Sequence, residues 1–161
     1  MPQVAERALA PLILALDPPA RMAAAAQALV GAPYRLGGST ADGLDAAGLA
    51  RLCLEVALGA DKVPAWTRRA DEEPNWNETA RLLRSAGMEA RARHEAAQAG
   101  DVAVFAAYPA EPSSAVVVEA ARPGRGPIVV MARGLKGVEL ILLSSVGRVV
   151  AGVFALPAEA Q

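Results

Sequence analysis

The sequence has 161 residues, which suits one domain with its own hydrophobic core. Apolar residues make up 53% and charged residues 20%, and this composition excludes an intrinsically disordered chain and a collagen-like repeat. The formal net charge of −1 gives no electrostatic reason to expect nucleic acid or an anionic membrane as a partner. One cysteine excludes an internal disulfide and a multi-thiolate metal site, and one histidine excludes a histidine cluster.

The first 30 residues predict two helices. Residues 4–16 form a weak helix because Pro11 interrupts it, whereas residues 20–30 are strong helix formers that end before Gly31 and Pro33. The longest apolar run here is too short to span a bilayer. The start also lacks the basic residues and longer apolar stretch of a secretory signal. We therefore expect synthesis in the cytoplasm without a signal peptide, and no membrane insertion.

The middle of the chain predicts two further helices with recognisable starts. Residues 37–43 form a glycine-rich loop, after which Asp45 can act as N-cap for a helix over 46–58. Asn75, with Glu78 three residues later, resembles a capping box for a helix over 76–86. The first half is therefore mainly helical.

The second half changes to short apolar runs that are mostly rich in β-branched residues. Turn residues separate these runs, which predict strands over 101–108, 114–120, 126–133, 137–144 and 147–156. Helices followed by strands predict an α+β domain in which N-terminal helices pack on a small antiparallel sheet of about five to six strands. We expect one domain over 1–161, comprising an extension over 1–19, a mainly helical half over 20–98 and a β half over 99–157.

Residues 31–59 carry the most specific pattern in the chain. They read GAPYRLGGSTADGLDAAGLARLCLEVALG, with a G-x-P-Y-x-x-G-G segment, a loop, and Asp-Ala-Ala-Gly-Leu where a helix begins. This pattern resembles the signature of the NlpC-type cell-wall peptidases, a papain-like family with Asp-Cys-Ser-Gly-Leu at that helix start. The matching positions are Gly31, Pro33, Tyr34, Gly37, Gly38, Gly43, Asp45, Gly48 and Leu49.

Later segments are similar to the same family and follow its order. These segments are PAWTRRADEEPNW (64–76), AGDVAVF (99–105), SAVVV (114–118), VVMARGLKGVEL (129–140) and RVVAGVFALP (148–157). The first and last of them resemble the compact peptidases carried in phage tails and gene transfer agents. The resemblance covers residues 20–157 and implies a papain-like NlpC-type fold.

The family's chemistry needs a cysteine at the first turn of a helix, a histidine on an adjacent strand and a polar group that orients the histidine. In this sequence the nucleophile position falls on Ala46. The histidine position falls on Ser114, or on Ser113 if the strand alignment slips by one, and the orienting position falls on Met131. None of these side chains has the required chemistry. The resemblance therefore implies a vestigial site without catalytic residues, metal or cofactor.

The lone cysteine and the lone histidine are the only candidates for a substitute Cys–His pair. Cys53 lies seven residues after Ala46, about 10 Å further along the helix axis at roughly 1.5 Å per residue. It sits among apolar residues, so we expect a buried core cysteine. His94 precedes a turn, and we expect it at the surface.

Two other positions are candidates for a remnant binding cleft. Tyr34 matches a family tyrosine that lines the active-site groove, although packing of the helix–loop corner explains it equally well. Asp45 matches the family's aspartate, and we interpret it as an N-cap rather than a catalytic acid.

The resemblance implies a catalytically inactive homologue acting as a structural or binding component of a phage or gene-transfer-agent tail tip or baseplate. Its expected partners are other tail proteins and a peptidoglycan fragment, and its expected location is the virion. One alternative is an active cysteine-type peptidase that hydrolyses peptidoglycan stem peptides with Cys53 or a serine. Another is a regulator that binds cell-wall fragments or an active peptidase.

Overall fold

The computed structural model describes residue 13 and residues 15–66, 71–106 and 112–157. Three α-helices lie in these ranges: α1 (Pro18–Ala28), α2 (Ala46–Leu58) and α3 (Trp76–Ser85). Most of the weak helix expected over 4–16 lies outside the described residues, as does the end of the strand expected over 101–108. Within the described ranges, no helix has the length and apolar character needed to cross a membrane.

The strands form two sheets. In chain order they are β1 (Ser39–Thr40), β2 (Gly43–Leu44), β3 (Glu89–Ala90), β4 (Val102–Ala106), β5 (Ser114–Glu119), β6 (Ile128–Arg133), β7 (Gly137–Leu142) and β8 (Val149–Ala155). The first two pair with each other, and the other six form an antiparallel sheet in the order β3–β8–β4–β5–β6–β7. The predicted α+β class and the predicted antiparallel sheet are confirmed.

The helix starts follow local capping chemistry. α1 begins two residues earlier than predicted, because Asp17 accepts a hydrogen bond from the Ala20 N–H and two prolines fill the first turn, where a missing N–H is tolerated. α2 has its predicted bounds. α3 starts where predicted because the Asn75 side chain accepts from the Glu78 N–H at 2.9 Å.

The helices cover one face of the six-stranded sheet, since α1 and α2 both contact β5. Side chains alternate along β5, so Val116 and Val118 join the cluster beneath the helices while Ala115 and Val117 face the other way. We call the larger cluster, which includes Met22, Leu49, Cys53, Val116 and Val130, the main core. The second cluster, on the opposite face, comprises Ala97, Ala103, Phe105, Ala115, Val117, Val129, Met131, Val146 and Val153.

Candidate functional site

The glycine-rich loop packs directly against the first turn of α2. A Cβ atom at Gly48 would lie 1.9 Å from the Gly38 carbonyl oxygen, and one at Gly38 would lie 2.2 Å from the Gly43 carbonyl oxygen. Both distances are far inside van der Waals contact, so these positions have no space for a side chain. Close approach of the loop to the helix therefore accounts for Gly48, and close packing within the loop accounts for Gly38.

Asp45 joins the loop to the helix. Its side chain is completely buried. Oδ1 accepts from the Gly48 N–H at 2.8 Å, and Oδ2 accepts from the Gly37 N–H at 2.9 Å. The first bond satisfies an N–H that has no partner within the helix, so the predicted N-cap is confirmed. In this arrangement the Asp45 side chain has no exposed surface.

The first residue of α2 is bonded to a carboxylate from a distant segment. The Ala46 N–H donates to Glu73 Oε1 at 2.9 Å, and both residues are buried, Glu73 with only 3% of its surface exposed. The helix dipole favours negative charge at this end of the helix. An internal carboxylate therefore occupies the place where a helix N-terminus would receive an anion from outside.

Burial changes the acidity of this carboxylate. The pKa of Glu73 is raised from 4.5 to about 7, mainly because burial penalises the charged form and also because the negative charge of Asp45 is close. Hydrogen bonds from the backbone of Ala46 and Ala47 and from the half-buried Tyr34 side chain act in the opposite direction. Tyr34 and Asp45, the two predicted cleft residues, thus meet at Glu73.

Sequence reasoning missed Glu73. It lies 27 residues after Ala46, and nothing in the local pattern of DEEPNW separates it from the two acidic residues before it. The only available signal was its place directly before Pro74 and the Asn75 cap of α3, where the chain has to return to the helix layer.

The two serine candidates have different surroundings. Ser114 opens β5, is buried, and alternates in phase with Val116, which places it on the sheet face that the helices cover. Ser113 Oγ donates to the Pro74 carbonyl at 2.9 Å and lies 2.8 Å from Thr79 Oγ1. Ser113 therefore fixes the start of β5 to the start of α3.

Met131 lies on the other face of the sheet. It belongs to the second cluster, whereas its neighbours Val130 and Ala132 belong to the main core. The structure thus brings Ser114 to the same side of the sheet as Ala46 and leaves Met131 on the opposite side. The β6 side chains next to Met131 that face the helices, Val130 and Ala132, are apolar.

Cys53 and His94 occupy unlike environments. Cys53 is completely buried in the main core, as predicted, and burial raises the pKa of its thiol to about 12. The thiol is therefore protonated at neutral pH, and the thiolate is the reactive form. His94 is exposed on a short 3-10 turn (His94–Ala96) beside a shallow surface pocket of about 450 Å³.

Across residue 13 and the ranges 15–66, 71–106 and 112–157, no three His, Cys, Asp or Glu side chains are grouped so that they could hold a metal ion. No protein-family model matches the sequence, and no curated protein matches it. Function is therefore inferred from the residue motif and from the geometry at the first turn of α2.

Proposed function

We propose that this chain is a catalytically inactive homologue of the NlpC-type peptidases, with their papain-like fold, and that it serves as a structural or binding component. The observation that carries the proposal is the first turn of α2. There the family's cysteine position holds the methyl group of Ala46, and the backbone N–H of that residue is bonded to Glu73. The chain retains the loop and helix scaffold without the reactive groups.

The electrostatics of this turn also oppose thiolate chemistry. A catalytic thiolate at a helix start is stabilised by unpaired N–H groups and by the helix dipole. Here Glu73 and Asp45 accept the hydrogen bonds of the Ala46 and Gly48 N–H groups. An additional negative charge would lie beside two carboxyl groups, so even a cysteine installed at position 46 would ionise less readily.

The alternative of an active peptidase needs another nucleophile, and Cys53 is its best candidate. Cys53 has no exposed surface and lies among apolar side chains of the main core. A peptide carbonyl would reach its Sγ only if α2 separated from the sheet. This burial favours the inactive homologue over the unconventional enzyme.

For its location, we propose the tail tip or baseplate of a phage or gene transfer agent, with synthesis in the cytoplasm and incorporation into the particle. The support is the resemblance of residues 64–76 and 148–157 to peptidases of such tails. Other tail proteins are the proposed partners, with a peptidoglycan fragment as a second ligand. If the chain instead sediments with the cell envelope and is absent from purified particles, the regulator alternative replaces this placement.

A hydrolysis assay tests the loss of catalysis. The unmodified protein is incubated with purified peptidoglycan and with synthetic stem peptides, and newly released amino groups are measured. We expect no release above that of a blank without protein. Release above the blank would establish the active peptidase instead, with Cys53 as its nucleophile if the Cys53→Ala variant loses the release and a serine if the variant keeps it.

An installation experiment tests the positional assignment. Ala46→Cys with Ser114→His restores two of the family's groups, and adding Glu73→Gln removes the neighbouring charge while leaving an acceptor for the Ala46 N–H. We expect the thiol at position 46 to ionise at a lower pH in the triple variant than in the double variant, as measured by thiolate absorbance in a Cys53→Ala background. Equal ionisation midpoints would contradict the role assigned to Glu73.

A further inference from the structure

β7 forms one end of the six-stranded sheet, and a short neighbouring segment covers only its beginning. The Val138 N–H donates to the Ala32 carbonyl at 2.9 Å, and the Val138 carbonyl accepts from the Gly31 N–H at 2.8 Å. Both backbone groups of Val138 therefore point away from β6. In an antiparallel pair, this orientation alternates from one residue to the next.

By that alternation, the backbone groups of Leu140 and Leu142 also point away from β6. The Leu143 N–H donates to the Pro127 carbonyl at 2.9 Å, which agrees with this phase because odd-numbered residues bond towards β6. In the part of the chain that the structure describes, no backbone hydrogen bond reaches the outward groups of Leu140 or Leu142. The last three residues of β7 thus form an open strand edge.

The side chains along this edge are apolar and exposed. Leu140 is 50% exposed and Leu142 is 38% exposed, and Leu135 in the preceding turn projects fully into solvent. Val30, which precedes the covering residue Gly31, is also exposed. Edge strands are usually protected by charged residues, by proline or by a covering element. In the described ranges none of these protects Leu140–Leu142, so the edge is suited to pairing with another strand.

We propose that a second copy of this chain pairs with this edge, β7 against β7 in antiparallel orientation, with a two-fold axis at Ile141. Leu140 of each copy then forms a hydrogen-bonded pair with Leu142 of the other, and the two pairs together make four backbone hydrogen bonds. The four leucine side chains meet on one face of the joined sheet. The two Ile141 residues face each other as a pair without mutual backbone hydrogen bonds.

Three features favour a second copy as the occupant. The segment is self-complementary, since the axis at Ile141 matches every outward donor with an outward acceptor. Its only adjacent acid, Glu139, is paired with Arg133 at 3.1 Å, and the two copies of Glu139 would lie about 13 Å apart along the strands. The chain turns away after Leu142 into the 3-10 turn Leu143–Val146, so the second copy leaves the edge before it meets Gly31. The inference does not depend on the proposed function.

Cysteine cross-linking tests the register. Residues facing each other without mutual hydrogen bonds have Cα atoms about 4.5 Å apart, within the range that a disulfide spans. We expect Ile141→Cys to form a covalent dimer when copper phenanthroline and oxygen accept the electrons of the two thiols. Val149→Cys, at an exposed position on β8, is the matched control and should form at least tenfold less dimer. Equal yields would overturn the proposal. Cys53 is buried and remains in both variants.

Sedimentation velocity tests the pairing without cross-links. Because the interface is small, we expect dimerisation of the unmodified chain in the range of about 10 to 200 µM. Leu140→Lys and Leu142→Lys should each weaken dimerisation at least tenfold, whereas Val149→Lys should leave it unchanged. A monomer throughout this range, or a dimer that both edge lysines leave intact, would overturn the proposal.

Discussion

Two buried carboxylates in this molecule are held in opposite ways. Asp101 lies just before β4. Both of its carboxylate oxygens accept hydrogen bonds from Arg91: Nε donates to Oδ2 at 2.5 Å and Nη2 donates to Oδ1 at 3.1 Å. The Gln98 N–H adds a third hydrogen bond at 2.8 Å. Glu73 is buried just as completely, yet the groups described as bonding to it are backbone N–H groups and the Tyr34 side chain.

The environment of Asp101 stabilises its charged form, whereas the environment of Glu73 disfavours its charged form. A guanidinium compensates the charge of Asp101, and the hydrogen bond to Asp101 raises the pKa of Arg91 in turn. Among the residues that the structure describes, N–H dipoles rather than a cation bind Glu73, and burial together with the neighbouring charge of Asp45 raises its pKa to about 7. Glu73 lies at the first turn of α2, where the family resemblance would place the catalytic residue.

Removal of the cation should have the largest effect. Arg91→Ala leaves the buried Asp101 charge without its partner, and we expect a loss of about 3 kcal/mol in the free energy of unfolding at neutral pH. Urea unfolding measures it. Arg122→Ala is the control, because Arg122 pairs with Glu119 at an exposed site and should change stability by less than about 0.5 kcal/mol. Equal losses of unfolding free energy in the two variants would show that the buried pair of Arg91 and Asp101 contributes no more than an exposed pair.

The pH dependence of stability should reveal Glu73. Its folded-state pKa of about 7 lies above the ordinary value of 4.5, so its contribution is fully present below about pH 4.5 and is lost as the pH rises through 7. This group alone should lower the free energy of unfolding by up to about 3 kcal/mol between pH 5 and pH 9.

Glu73→Gln is the matched control for this dependence. The amide keeps a carbonyl oxygen for the Ala46 N–H but does not titrate, so the variant should be flatter with pH over the same range. Urea unfolding measures the free energy of unfolding of both proteins from about pH 5 to pH 9. If this free energy changes with pH equally in the unmodified protein and in the variant, Glu73 does not titrate as described.

Asp45 should give a smaller effect that depends on pH. Asp45→Ala removes the acceptors of the Gly48 and Gly37 N–H groups, and we expect a loss of about 1 to 2 kcal/mol at pH 5. The loss should be smaller at pH 9, because the variant also removes the repulsion of ionised Glu73. Asp17→Ala at the exposed start of α1 controls for N-cap loss alone and should show no such pH dependence. An equal loss at both pH values for Asp45→Ala would contradict the coupling.

The sequence predicts features whose cause is local. The bounds of α2 follow from Asp45 and Gly59, and the start of α3 follows from Asn75, because capping acts within one turn of chain. The predicted start of α1 is two residues too late. Two consecutive prolines are compatible with the first turn of a helix as well as with a break before the helix.

Features that depend on distant contacts were not predictable. β3 has only two residues and exists through its pairing with β8. The bond from Ala46 to Glu73 joins residues 27 positions apart, and no sequence pattern encodes it. The face of the sheet on which Met131 lies depends on how β6 is aligned with the neighbouring strands. The pairing of β5 with β6 contains a register shift between Val117 and Glu119, which the sequence does not reveal.

The central claim is that an internal, buried carboxylate occupies the first turn of α2. Carbon-13 NMR of protein labelled at the glutamate carboxyl carbons measures the ionisation of Glu73 directly, with the Glu73→Gln variant assigning the resonance. The account predicts a titration midpoint near 7. A midpoint near 4.5, the ordinary value for glutamate, would contradict it, because burial and the charge of Asp45 would then not outweigh the hydrogen bonds that favour the charged form.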